Sequence, residues 1–185
     1  MLLNPKGNSF YFVFPKGFFP EIVVEKYMPY LKKQPIPYDT LQAYVNSTIQ
    51  SITFPSMSID TVDQIRPLGK KVFYKSGTPI QNMFTSDFTI TFRAVDGFIN
   101  YFIMLDTILY FLNFINPQLF IPDLPMRILD SEGNIVVSCT YQEVVLTSFS
   151  NIDLSYVSNS PQPTVFSIGF RYNYLDIKLE ANRDI

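Results

Sequence analysis

Histidine and tryptophan are absent from this 185-residue chain, cysteine occurs once, and charged residues make up only 16% of it. Each shortage removes a class of function. Without histidine, the commonest general acid–base and the commonest transition-metal ligand are missing. The single Cys139, within "NIVVSCTYQ", cannot form an intramolecular disulfide and has no histidine to activate it, so it reads as a small buried strand residue. The seven glycines make no GxGxxG or GxxxxGK loop, which leaves phosphate cradling unsupported. Sixteen Asp and Glu remain, but no local grouping singles any of them out, and carboxylate catalysis would need two converging in a cleft. No catalytic residue, metal site or cofactor is therefore expected. A net charge of −2 without a long charge run gives no footprint for gripping the outside of a nucleic acid. The start, "MLLNPKGNSF", lacks the apolar core and cleavage signal of a secretory peptide.

What the chain does have is apolar surface. Hydrophobic residues are 47%, with 18 Phe and 12 Tyr, and so much apolar material over so few charges points to interfaces and an obligate oligomer. The greasiest run is "FINYFIMLDTILYFLNFI" at 98 to 115. A bilayer span needs roughly 20 apolar residues with few or no charges, and this run carries Asp106 flanked by Asn100 and Asn113. Asn100 and Thr107 lie seven apart, as do Asp106 and Asn113, so a helix here would gather its polar groups loosely in one sector. Such a helix belongs inside a protein assembly, and no membrane insertion is expected.

Alternation marks the strands. In "TVFSIGFRYNY", Phe166, Ile168, Phe170, Tyr172 and Tyr174 alternate with small or polar residues, which predicts one long strand. "SDFTITFR" repeats the pattern through Phe88, Ile90 and Phe92. "GNIVVSCTYQEVVLTSF" alternates from a Gly133-Asn134 turn and then changes phase near Gln142-Glu143, which predicts a bulge or a bend between two sheets. "NSFYFVF" and "TIQSITFP" add further strands, and antiparallel pairing is the natural reading. Residues 15 to 48 hold five prolines and two short helices, about 20 to 33 and 39 to 48, the second opened by Asp39 as N-cap. Residues 60 to 85 form a long excursion bearing Arg66, Lys70, Lys71 and Lys75. It reads either as a solvated hairpin with basic edges or as a functional loop.

The order of these elements resembles the tail tube proteins of contractile-tailed bacteriophages and their tube-fold relatives. The resemblance runs over roughly residues 47 to 177. It is most specific in "TSDFTITFRAVDGFINYFIMLDTI", a strand running straight into a helix, and in "VLTSFSNIDLSYVSNSPQPTVFSIGFRYNYLDI". The resemblance implies a single mainly β (α+β) domain over 1 to 185, an antiparallel β-sandwich or half-barrel with one long packed helix and short N-terminal helices. It further implies homo-oligomeric rings, six subunits each, stacked around a channel through which DNA passes without specific binding. Partners would be sheath, baseplate, hub or portal-adaptor proteins, and the site of action the virion, made in the host cytoplasm. The insertion at about 15 to 48 is similar to the longer tube-initiator, hub or adaptor rings. On this reading the loop at about 60 to 85, with Arg66, Lys70, Lys71 and Lys75, reaches a neighbouring subunit or ring. Asp87, Thr89, Thr91, Ser167, Gly169 and Asn173 form one strand face that is a candidate lumen wall. A competing class is a monomeric β-barrel holding a small apolar ligand.

Overall fold

A computed structural model of the protein describes residues 10–34, 37–56, 61–65, 67, 69–75, 77, 86–113, 120–130, 132–152 and 164–180. Among the described residues, ten strands and three α-helices run in the order β1 (Phe10–Phe12), α1 (Glu21–Leu31), α2 (Leu41–Ser47), β2 (Ile49–Ile52), β3 (Thr61–Ile65), β4 (Lys71–Lys75), β5 (Asp87–Arg93), α3 (Ile99–Leu112), β6 (Leu124–Leu129), β7 (Ile135–Gln142), β8 (Val145–Phe149), β9 (Val165–Arg171) and β10 (Tyr174–Leu179). They build one sheet in the order β1-β6-β7-β10, a second in the order β2-β5-β9-β8, and a separate β3-β4 hairpin. Every pairing is antiparallel. The fold is thus mainly β with one longer helix, as the alternation predicts.

The phase change at Gln142-Glu143 is a corner. Glu143 takes a left-handed φ of 51°, and the chain leaves the first sheet as β7 and enters the second as β8. The run expected as one long strand through Tyr174 bends as well. It breaks at Tyr172-Asn173 and crosses from β9 in the second sheet to β10 in the first. The two corners lie side by side: the Asn173 N–H donates to the Gln142 carbonyl at 3.2 Å, and Asn173 Nδ2 donates to Glu143 Oε2 at 2.9 Å. Two backbone turns are thereby satisfied by each other.

The core fills the space between the layers with rings. Along β5, Phe88 stacks on Tyr141 of the first sheet at 4.1 Å, while Phe92 stacks on Phe166 at 5.1 Å and lies near Phe14 at 6.2 Å. Tyr101 of α3 meets Phe166 edge-on at 5.3 Å. One end of the second sheet is therefore covered by the first sheet, and the other by α3 and the segment around Phe14. Each fully buried Phe contributes roughly 1.5–3 kcal/mol of transfer free energy. Phe88, Tyr141, Phe92 and Phe166 thus pack on one another between the layers. Cys139 is fully buried there, and burial pushes its thiol pKa up, the inert condition its surroundings implied.

The strand-to-helix junction at the end of β5 is held by one side chain. Asp96, Gly97 and Phe98 all take left-handed φ values of 51°, 69° and 69°, a run in which only glycine is unstrained. Asn100 is fully buried beneath this turn, donating from Nδ2 to the Arg93 carbonyl at 2.7 Å and accepting from the Val95 N–H at 3.2 Å. The Asp96 carboxylate accepts from Tyr44 Oη at 3.0 Å and from Gln34 Nε2 at 3.2 Å, fixing the turn to α2. Burial, and then the bond to Asp96, drive the Tyr44 phenol pKa far up.

Two local expectations are corrected. The N-cap of α2 is Thr40, whose Oγ1 accepts from the Ala43 N–H at 3.1 Å, rather than Asp39. The polar groups of α3 do not share a sector. Asn100 and Thr107 face the core, where Thr107 Oγ1 donates back to the Ile103 carbonyl at 2.8 Å. Asp106 instead meets α1, accepting from Lys26 Nζ at 2.6 Å and Tyr27 Oη at 2.7 Å. Among the described residues no helix is long and apolar enough to cross a membrane.

Candidate functional site: assembly surfaces

The outer face of the second sheet is built by register. Asp87 stands opposite Arg171, Thr89 opposite Gly169, Thr91 opposite Ser167 and Arg93 opposite Val165. Asp87 and Arg171 close a bidentate pair, Nε to Oδ1 at 2.7 Å and Nη2 to Oδ2 at 3.0 Å. The hydrogen bond from Arg171 holds the Asp87 carboxyl below its ordinary pKa. Thr91 and Ser167 hydroxyls lie 3.1 Å apart, and Ser150 Oγ accepts from the Ser167 N–H at 2.8 Å. Ser51 continues the face opposite Thr91, and Ser148 opposite Gly169. A bulge in β8 crowds Thr147 and Ser148 over Gly169, so that a Cβ there would lie 2.3 Å from Ser148 Oγ. The face is consequently a small-hydroxyl surface whose Asp87–Arg171 charges cancel, with Arg93 ending the row.

Five of the six residues expected on this face are brought together. Asn173 is not one of them: it belongs to the corner after β9, and its side chain is held by Glu143. The basic residues at 60 to 85 fall on the hairpin. Lys70 is exposed between its strands, Lys71 opens β4 and lies 3.6 Å from Asp63, Lys75 ends β4 opposite Thr61, and Arg66 lies outside the described residues.

Sequence reasoning missed three apolar surfaces. The outer stripe of α3 exposes Phe102, Leu109 and Leu112. The hairpin exposes Val62, Ile65 and Phe73, and the far end of β10 exposes Ile177 and Leu179. The signal for the first was present, since 102, 109 and 112 fall on one side of a helix. For the other two, alternation told which face a residue takes but not where the covering layer ends. Among the described residues the edge strands have no further neighbour, β1 and β10 in the first sheet and β2 and β8 in the second. An open groove of about 710 Å³ separates β1 from the α2–β2 segment, lined by Phe10, Phe12, Val13, Ala43, Asn46 and Ile49.

No family model and no curated protein sequence matches the chain. Solved structures do. A chain in the cryo-EM structure of the anti-feeding prophage cap, its tube-terminating cap, superposes with a TM-score of 0.53 at 12% identity, covering 97% of this chain and 93% of that one. This chain shares the fold of that cap. Chains from an extracellular contractile injection system also align, one in the PVC sheath-tube complex at TM-score 0.46 and 13% identity, covering 71% of this chain and 80% of that one. Another is in the PVC sheath/tube terminator, at 0.46 and 14%, covering 70% and 84%. The tube-type architecture implied by the strand–helix run at 86 to 110 is thus the one found. The likeness to the cap spans nearly the whole chain, so the segment at 15 to 48 falls within the matched span.

Proposed function

We propose that this chain is a ring-forming structural subunit of a phage-type tail or related contractile injection apparatus, stationed at an end of the tube as a cap, adaptor or initiator ring, with no chemistry of its own. The observation that carries the reading is the disposition of the open edges. Among the described residues each four-stranded sheet ends on either side in a strand with no further neighbour, and exposed edges recruit further strands. Pairing β8 of one copy with β2 of the next extends the second sheet through a heterologous contact, which closes into a ring when the rotation permits. The tube-cap fold and the exposed apolar stripe of α3 support the same arrangement.

In such a ring the hydroxyl face of the second sheet lines the channel, and Asp87, Thr89, Thr91, Ser167 and Gly169 stand on its wall. A wall that does not bind suits passage of DNA, because every fixed cation would add a phosphate contact to be broken in transit. The copies would number six, contact sheath, baseplate or other tail proteins, and reside in the assembled particle. Light scattering on material leaving a sizing column, with negative-stain imaging of the same fractions, tests the reading. Closed rings with a central hole are the expected result. A solitary 21.4 kDa species that persists at high concentration overturns it.

A further inference from the structure

We infer that Phe54 of one copy anchors the contact between subunits, its ring seated in the apolar pocket between α3 and β8 of the next copy. The inference rests on the β8–β2 pairing proposed above and names the side chain and the cavity that fix it.

The pocket lies where the C-terminal end of α3 meets the start of β8. Ile108, Phe111, Leu112, Phe120, Val144 and Val145 form much of its wall, and every residue lining it is apolar. The rim is open, with Leu112 60%, Val145 42% and Phe120 39% exposed. Its volume is about 80 Å³, whereas pockets that enclose a drug-sized molecule run to about 300–1,000 Å³. The pocket therefore fits one apolar side chain.

Phe54 is a ring that its own subunit leaves half uncovered. The Thr53 N–H donates to the Thr89 carbonyl at 2.9 Å, which carries the β2–β5 pairing one residue beyond Ile52. Alternation then puts Thr53 on the hydroxyl face and Phe54 on the inward side with Ile52. Phe54 is nevertheless 46% exposed, because among the described residues β2 is the last strand of its sheet. Pro55 comes next in the chain. It biases Phe54 toward extended backbone and has no N–H to prolong the ladder, so the ring stands at a defined place at the strand's end.

Sheet geometry carries that ring to the pocket. All pairings in the second sheet are antiparallel, so β2 and β9 run one way and β5 and β8 the other. A rotated copy that continues the sheet sets its β2 against β8 in the opposite sense, with the end of β2 beside the start of β8. Val144 and Val145, at that start, line the pocket. Helix α3 covers the inward side along the same strand, Tyr101 packing on Phe149 at 4.7 Å at one end and Leu112 joining Val144 and Val145 at the other. An inward-facing Phe54 on the neighbour's strand accordingly points at the pocket mouth. Within one copy β5 and β9 separate β2 from β8, three strand spacings of about 4.8 Å each. Knob and hole are different surfaces of one chain, so the contact is heterologous and can pass around a ring.

The chain has no tryptophan, so Phe54→Trp places a single fluorescent reporter on the anchor. In the full-length protein its emission is expected to shift to the blue as concentration rises through assembly. Adding Leu112→Lys, which sets a charge at the rim, abolishes the shift. Phe54→Ser raises the concentration for half-assembly by about tenfold, the worth of burying the exposed half of one Phe, and leaves the circular dichroism of the dissociated subunit unchanged. Mixing Phe54→Ser with Leu112→Lys chains, one lacking the knob and the other the hole, restores one intact contact per pair and gives dimers that stop short of rings. Phe54→Ser rings at the wild-type concentration, or Phe54→Trp rings with unshifted emission, overturn the docking and leave the ring reading intact. A wild-type chain that stays single overturns both. Should Phe54→Ser fail to fold, the tryptophan shift and its loss with Leu112→Lys decide alone.

Discussion

Replacing Asn100 with alanine is expected to weaken the fold more than any surface change of similar size. The side chain is fully buried and satisfies two backbone groups at once, the Arg93 carbonyl and the Val95 N–H. Alanine leaves both without it at a turn where three successive residues already hold left-handed angles. An unsatisfied polar group costs about 1–3 kcal/mol when buried; both groups here are only partly buried, so the sum for the pair is about 2–4 kcal/mol. Against a typical total of about 5–15 kcal/mol that is a large fraction, and for a chain of this length it lowers the melting temperature by roughly 5–15 °C. The assay is urea unfolding followed by far-UV circular dichroism, at fixed protein concentration because assembly couples stability to concentration. Asn113→Ala, at the exposed end of α3, is the control and is expected to stay within about 0.5 kcal/mol. A loss at Asn100 no larger than at Asn113 would refute the reasoning, because it would mean that the turn satisfies itself.

Tyr141→Phe is expected to be neutral or stabilising by about 1 kcal/mol, since the buried Tyr141 hydroxyl finds no hydrogen-bond partner among the described residues; thermal melts check it, and clear destabilisation counts against it. Thr40→Ala costs about 0.5–2 kcal/mol through the lost cap of α2, whereas Asp39→Ala changes little; paired urea titrations distinguish the two. The Asp87 carboxyl titrates below its ordinary value of 3.8 because Arg171 donates to it, and Arg171→Ala brings it back, as carbon NMR titration shows directly. Its folded value is depressed, so the pair's stabilisation is present above the ordinary carboxylate range and disappears as pH falls through the lowered value. Both partners are exposed, which keeps that contribution small.

How far the sequence could be read depended on what each pattern encodes. Period-two alternation encodes face, so β5 and β9 and the inward set from Phe88 to Phe170 were legible at once. It does not encode which sheet a strand belongs to. The alternation runs unbroken through Phe170, Tyr172 and Tyr174 while the backbone turns a corner between them, because the turn is fixed by Gln142 and Glu143, thirty residues away. The matching corner at Glu143 was visible only because it shifts the phase. In α3, the seven-residue spacings were read as one loose polar sector: Asn100 and Thr107 instead turn to the core, where the backbone offers them partners, and Asp106 turns to α1. The short cap of α2 went to Thr40 over Asp39, a choice between two good capping residues that depends on where the first turn starts. The exposure of Ile177 and Leu179 at the far end of β10 depends on the extent of the opposite layer, which no local pattern records.

The claim beneath all of this is that sheet edges left open in a single copy are closed by another. Hydrogen exchange of the edge strands, compared between assembled material and subunits dissociated at low concentration, measures this directly. Amides of β2 and β8 are expected to exchange slowly in the assembly and rapidly in the dissociated subunit, while central β5 and β9 stay protected in both. Equal exchange of β2 and β8 in the two states would contradict it.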